Sequence, residues 1–408
     1  MTQRVQTLIV GGGQAGLAIS YYLSQQDHEN IVLEKARQPG SAWRNDRWDS
    51  FTLNTPNWSF KMPGGEYAGA DPDGFMPRAE VVRTFESYLD RYRLPVQFGV
   101  QATSVEASNG GYLVKTDSES YKAKNVVIAT GLYQQAKIPD LGARIPADIV
   151  QIPAGKYRNP AALPPGAVLV AGSAQTGCQI AEELYRSGRT VYLCTGRCGR
   201  APRRYRGRDA MYWLDRVGYF NRTPAQLPSL QARFAGNPQL SGNDGGHDLN
   251  LHQFARDGVR LLGRLADARD GKIYLAPDLH ANLAWADQIE ANIVKMTDDY
   301  IAENGLDAPA ETRPTLRDGF ESPILSELDP QDAGIGAVIW AMGHRFDFSL
   351  VRLPVLDEAN FPITEGGATR FPGLYFLGMP WMPSQRTGLL LGVGEAAARI
   401  AGWIAPGD

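Results

Sequence analysis

The chain has 408 residues, 41 basic against 44 acidic side chains for a net charge of -3, 43% hydrophobic residues, 44 glycines and 27 prolines. That length holds two to three domains at about 150 residues each, with cores large enough to need no disulfide or metal staple. The composition excludes collagen-like, coiled-coil and disordered chains, and the near-balanced charge gives no footprint for nucleic acid or a membrane surface.

The first element is a buried strand, Thr7-Leu8-Ile9-Val10, so close to the start that no signal peptide is expected. It runs into Gly11-Gly12-Gly13-Gln14-Ala15-Gly16 and a helix with Ala18, Ile19, Tyr22 and Leu23 on one face. A second strand, Ile31-Val32-Leu33-Glu34, follows. From Val100 to Lys124 alternating residues broken by Asn109-Gly110-Gly111 predict an antiparallel meander, which feeds a parallel strand ending in Ala129-Thr130-Gly131. After a proline-rich strip at 161–166 the opening pattern returns, about 160 residues on, as Val168 to Ala171, Gly172-Ser173-Ala174-Gln175-Thr176-Gly177, a helix with Ile180, Ala181 and Leu184, and the strand Thr190 to Leu193. The 245–330 stretch reads as a helical insertion whose long helix, Asp278 to Glu303, aligns Leu283, Ala286, Ile289, Ile293, Met296 and Tyr300. Val338 to Gly343 then repeats the earlier strand-to-glycine exit. The expected division is 1–163 and 346–408 for one domain and 164–345 for a second, inserted one. No apolar run reaches the roughly 18 residues of a membrane span.

A strand ending in Gly11-x-Gly13-x-x-Gly16 and opening a helix sets backbone N–H groups against a pyrophosphate, with Gln14 and Ala15 in the same turn. Glu34, with Lys35 beside it, closes the second strand about 20 residues later, where an acid binds the ribose of an adenine dinucleotide. In the second loop Ala174 replaces the middle glycine, between Gly172 and Gln175-Thr176-Gly177. No acid ends the following strand. Instead Arg197, Arg200, Arg203, Arg204, Arg206 and Arg208 follow, and arginines there pair with the 2'-phosphate of NADPH; a solvated basic loop is the alternative. Two dinucleotide sites in one chain point to FAD in the first domain and NADPH in the second, with electrons passing between them.

These residues resemble the two-dinucleotide flavoprotein monooxygenases: the flavin-containing N- and S-monooxygenases, the YUCCA-type enzymes and their bacterial flavoprotein relatives. The similarity spans nearly the whole chain and rests on Gly11 to Gly16, Ser41-Ala42-Trp43-Arg44, Asn54-Thr55-Pro56, Ala129-Thr130-Gly131, Tyr157-Arg158-Asn159-Pro160, Gly172 to Gly177 and Pro372 to Gly378. It implies an α/β fold of two Rossmann-like domains in a glutathione-reductase-like three-layer architecture. It further implies that Trp43 and Arg44 lie along the flavin, that Asn54 stands beside its reactive edge, and that Gly378, Gly388 and Leu389 approach the ring, with Gly343 at the second hinge. The implied activity is an NADPH-driven oxygenation through a C4a-(hydro)peroxyflavin, with O2 and a small nucleophilic nitrogen or sulfur compound as partners; the odd, sparse set of three cysteines separately points to a reducing cytoplasmic setting. Asn54 also suits a turn before proline, and Trp43 and Trp48 suit ordinary core packing.

The sequence departs from the family pattern where Phe-x-Gly-x-x-x-His should precede Tyr157. The segment Val150-Gln151-Ile152-Pro153-Ala154-Gly155-Lys156 has no histidine. Ala341-Met342-Gly343 replaces Ala-Thr-Gly, and Pro383 stands where relatives often carry histidine. The missing histidine lowers the expectation of a Baeyer-Villiger reaction and keeps open a flavin oxidase or reductase that passes electrons to oxygen, a quinone or another small acceptor. Five histidines, His28, His247, His252, His280 and His344, show no helical metal-pair spacing, so no metal is expected. Cys178, Cys194 and Cys198 are too few for a disulfide framework. Cys194 and Cys198 flank the strand expected at the NADPH phosphate, so they read as free thiols and not a catalytic pair. The 278–303 helix and Met211-Tyr212-Trp213 are expected as a substrate wall or a homodimer contact, with core packing as the alternative.

Overall fold

The computed structural model describes residues 2–406. β1 (Thr2–Val10), α1 (Gln14–Gln25) and β2 (Asn30–Glu34) form the first strand-helix-strand unit. β1 is exposed over its first residues and wholly buried from Thr7 to Val10, which fits an apolar stretch covered on both sheet faces. After α2 (Ser41–Asn45) and α3 (Arg78–Tyr92) come β3 (Val96–Phe98), the expected antiparallel meander β4 (Ala102–Ser108) and β5 (Gly111–Thr116), and β6 (Ser120–Ile128). The strand order is β3-β2-β1-β6-β5-β4, with β1 parallel to β2 and β6 and Val10 level with Ile128.

The second sheet is built from β7 (Val150–Pro153), β8 (Ala167–Ala171), α4 (Gln175–Arg186), β9 (Val191–Cys194), α5 (Ala210–Arg216), α6 (Leu251–Arg256) and β10 (Arg260–Leu262). β11 (Leu265–Arg269), β12 (Lys272–Leu275) and α7 (Leu279–Glu303) precede β13 (Ile335–Trp340). Order β10-β9-β8-β13-β7 is parallel throughout. β14 (Leu374–Phe376) then returns to the first sheet beside β6, and α8 (Val393–Ile404) packs against α1. A mixed sheet with a parallel half and an all-parallel sheet, both flanked by helices, make this an α/β chain with two Rossmann-like units.

Two placements differ from the expected divisions. β7 precedes residue 163 yet is the edge strand of the second sheet, because Val150 to Pro153 pair with Ala337 to Trp340. The 245–330 stretch is less of an insertion than its length suggests, since β10 completes the second parallel sheet. What remains extra is an antiparallel sheet of β11, β12 and Glu327–Leu328, plus α7. On α7, Leu283, Ala286 and Ile293 are buried, while Ile289, Met296 and Tyr300 are half-buried; Asn282 and Thr297 share the inner face, and Asn282 donates to Thr195 Oγ1.

The duplication survives at atomic detail. Gly11 and Gly172 both have φ +109°, and a Cβ on either would lie 2.5 and 2.6 Å from the carbonyl oxygens of Ala129 and Ala341. A Cβ on Gly16 or Gly177 would meet the carbonyl oxygen of Gly11 or Gly172 at 1.9 and 1.8 Å. Those glycines are required because strand exit and helix start approach closer than any side chain allows. The strand exits at Gly131 and Gly343, with φ +78° and +80°, lead into an antiparallel pairing of Gln135–Ala136 with His344–Arg345 that ties the two crossings together.

Candidate functional site

At the first loop, Gly12 N–H donates to Glu34 Oε2 at 2.7 Å and Ala36 N–H to Oε1 at 2.8 Å. The carboxylate is thereby fixed over the glycine turn with lone pairs to spare. The exposed Gly13 has no atom within 4 Å of where a Cβ would sit. The N–H groups of Gly13 to Gly16 find no acceptor among the described residues, as the first turn of a helix leaves them. An open space facing free donors and a helix N-terminus fits a pyrophosphate. Gly378, φ +83°, brings its α-carbon so close that a Cβ would lie 2.6 Å from Ala15 Cβ. Thr130 Oγ1 and Gly131 O both accept from Gln134 Nε2 at 2.9 Å, while Lys35 is exposed. The candidates Gly11, Gly13, Gln14, Ala15, Gly16, Glu34, Thr130, Gly131 and Gly378 therefore share one strand-end crevice. Gly388 and Leu389 lie one turn before α8, where a Cβ on Gly388 would meet Pro380 N at 2.6 Å.

Segment 43–57 holds three buried polar atoms without a partner among the described residues, Arg44 Nε, Trp48 Nε1 and Asn57 Oδ1. Segment 200–209 holds four more, on Arg200, Arg203, Arg206 and Asp209, so the first group does not by itself mark a ligand. Arg44 itself pairs through Nη2 with Glu86 at 2.6 Å. Asn54 is half-buried, and its side chain has no hydrogen bond to a described residue; its carbonyl accepts from Arg203 Nη1 at 2.8 Å. Trp43 packs on Phe51 at 5.9 Å, and Trp48 is a core residue, 2% exposed.

The second loop differs from the first at Ser173, Ala174 and Thr176. Ala174 occupies the position of Gly13 and is exposed, so its methyl faces the open side. Gln175 spends its side chain on Leu240, donating to the carbonyl at 2.6 Å and accepting from the N–H at 3.0 Å. Only the main-chain N–H of Gln175, with those of Thr176 and Gly177, is left for a ligand. Gln239, unforeseen from the sequence, is buried and donates to Ser173 O, closing this loop from above.

The arginine run is not one phosphate site. Arg203 is 2% exposed and its guanidinium is committed to Asp209, Asn54 O and Ser241 O, which corrects its expected role: desolvation has made it a structural cation. Arg200 is likewise buried between Asp287 and Glu290. Arg204 donates to Gly245 O at 2.8 Å and Gly246 O at 3.0 Å, which turns it away from the loop's open side. Arg197 alone among the three expected phosphate ligands is exposed and carries no hydrogen bond to a described residue, resting over Trp285 at 5.5 Å.

Where the strand exits meet, Arg47 lies over Trp43, Phe51 and Tyr133, and Tyr133 meets the His344 ring at 5.2 Å. Burial, then Arg47, holds the His344 pKa below its usual value, so it is neutral near pH 7. Arg47 and Gln134 carried no motif signal. Burial pushes the Cys178 thiol well up, Cys194 to about 12 and Cys198 to about 11, which disfavours the thiolate at all three. Among the described residues no three His, Cys, Asp or Glu side chains group as a metal site, and no helix is long and apolar enough to cross a membrane.

Residues 8–216 match the model of the pyridine nucleotide-disulphide oxidoreductase family. An uncharacterized oxidoreductase CzcO-like protein of Geobacillus kaustophilus is 29% identical over 399 residues, covering 97% of both chains. A probable indole-3-pyruvate monooxygenase, YUCCA1 of Arabidopsis thaliana, is 27% identical over 190 residues, 46% of each chain. Among solved structures, the flavin-containing monooxygenase from Stenotrophomonas maltophilia aligns over 98% of both chains with TM-score 0.68 at 18% identity.

Proposed function

Because the chain belongs to the pyridine nucleotide-disulphide oxidoreductase family, we propose that it is an FAD- and NADPH-dependent monooxygenase that oxygenates a soft nitrogen or sulfur of a small molecule. The observation that carries the cofactor assignment is the pair of matched glycine turns, one guarded by Glu34 and the other followed by the exposed Arg197. An acid selects an unphosphorylated ribose and an arginine a phosphorylated one. FAD is assigned to the lobe that carries the first sheet, 1–149 and 346–408, and NADPH to the lobe that carries the second, 150–345. Bound there, the flavin supplies hydride acceptance and oxygen activation.

The chain's own residues then bind, orient and exclude water. Free N–H groups at Gly13 to Gly16 would hold one pyrophosphate and those at Gln175 to Gly177 the other. Asn54, with its amide uncommitted and its carbonyl pinned by Arg203, would offer a donor at the flavin edge. Buried Cys178 and Cys194 and half-buried Cys198, which form no disulfide and have raised thiol pKa values, speak against a dithiol acceptor and separate this reading from disulfide reduction within the same family.

A second reading, an oxidase that releases hydrogen peroxide, is favoured by the segment before Tyr157, which supplies no histidine. Counting NADPH consumed against peroxide released in air separates the two. With methyl p-tolyl sulfide or trimethylamine added, an oxygenase loses peroxide in proportion to the oxide formed; peroxide equal to NADPH with every nucleophile tested selects the oxidase. Protein that releases no flavin on denaturation would rule out both.

A further inference from the structure

The loop after α2 carries a cation that the protein leaves unsatisfied. The Arg47 guanidinium lies 5.3 Å from the Trp43 ring centre, 5.5 Å from that of Phe51 and 5.4 Å from that of Tyr133. Rings attract a cation through their faces but accept few of its five N–H groups. Among the described residues its one hydrogen bond runs from Nη1 to the carbonyl of its neighbour Asp46, at 2.8 Å. No carboxylate among the described residues stands within ion-pair distance of it. The Asp46 side chain faces Lys156 instead, at 4.0 Å.

The surroundings hold this arrangement in place. Arg78 and Arg158 both donate to the Arg47 carbonyl, at 3.3 Å each, and Arg158 donates further to Gly155 O and Tyr157 O. Asn159 fixes Asp49 at 2.7 Å. The Tyr157-Arg158-Asn159 stretch therefore braces the turn that presents Arg47. Tyr133, 63% exposed, and His344 place this guanidinium beside both strand exits, where ligands of open parallel sheets bind. Half-buried, and with only one N–H spent on a protein acceptor among the described residues, the guanidinium keeps donors open for an incoming anion at this crevice.

The cofactor phosphates already have other partners: two helix N-termini for the pyrophosphates and Arg197 for the 2'-phosphate. We infer that Arg47 receives the carboxylate of an organic acid substrate through a forked pair of N–H donors, with Trp43 and Tyr133 flanking its apolar part. This rests on the reading of the junction as the reaction site.

The test uses whole FAD-loaded protein and a panel of acids with their neutral amides: benzoate and benzamide, 3-phenylpropanoate and 3-phenylpropanamide. Binding is read from the flavin absorbance change. Expected are a saturable change with at least one acid, ten-fold or more weaker with its amide, and a loss of ten-fold or more in acid affinity in Arg47→Gln, partly restored in Arg47→Lys. FAD content, melting temperature and the KM for NADPH should stay near wild type. If no acid binds wild-type protein more tightly than its amide, or Arg47→Gln keeps the acid affinity within two-fold, the inference is overturned. A KM for NADPH that rises with Arg47→Gln assigns the arginine to a cofactor phosphate, which also overturns it. The acid readout is binding, and the KM for NADPH is reported by either activity, so these outcomes stand apart from whether the enzyme oxygenates or releases peroxide.

Discussion

Exposure separates Arg197 from Arg203 within one basic run. Arg197 is free over Trp285, so Arg197→Gln should raise the KM for NADPH about ten-fold while changing that for NADH less than two-fold, as steady-state kinetics would report. Equal loss for both would remove Arg197 from the 2'-phosphate. Arg203→Met should instead leave the buried Asp209 uncompensated and cost on the order of 3–5 kcal/mol of stability, visible in chemical denaturation, with no preference between the two nicotinamides. His247 is a third case at this scale. Its Nε2 is 2.6 Å from Glu182 Oε1, and that hydrogen bond raises its pKa above the ordinary value of 6.5. A raised folded pKa gives stability that is fully present below the unfolded pKa and lost as pH rises through the folded one. The melting-temperature gap between wild type and His247→Gln should therefore be wider at pH 5.5 than at pH 8.5. A gap independent of pH would show that the pair is not charged.

The two strand-turn-helix elements allow a paired experiment. Gly13→Ala adds a methyl where nothing lies within 4 Å, so the apo-protein should melt as wild type while FAD content falls, because only a ligand occupies that space. Gly16→Ala meets the Gly11 carbonyl at 1.9 Å and should fail to fold or lose the helix start outright. In the second unit Ala174→Gly should tighten NADPH by a few-fold, measured by titration; weaker binding would show that the methyl is a contact and not an obstruction. These elements were legible in the sequence because glycine spacing and apolar runs are local. The meander and the long helix were legible for the same reason. β10 was not, since Arg260 to Leu262 is a three-residue strand whose parallel partner lies about 70 residues earlier, and nothing local marks such a pairing. The site followed the same division: Gly11, Glu34 and Gly378 announce themselves, whereas Arg203 became a buried cation only through Asp209 and the 241 loop, and Gln239 and Arg47 acquired neighbours only through folding.

At the scale of the whole molecule, one apolar core runs from Trp48, Phe60 and Phe85 of the first lobe into Val168, Ile180 and Leu251 of the second. The lobes are also pinned outside that core: a Cβ on Gly242 would lie 1.8 Å from Leu53 O, and Arg203 of the second lobe holds the Asn54 carbonyl of the first. The antiparallel pairing of Gln135–Ala136 with His344–Arg345 adds a third attachment. A rigid-body swing of one lobe against the other would have to break the Arg203–Asn54 hydrogen bond and unzip this ribbon together. What stays free to move at the junction is the exposed side chain of Tyr133, so access there is set by side-chain motion more than by rotation of the lobes.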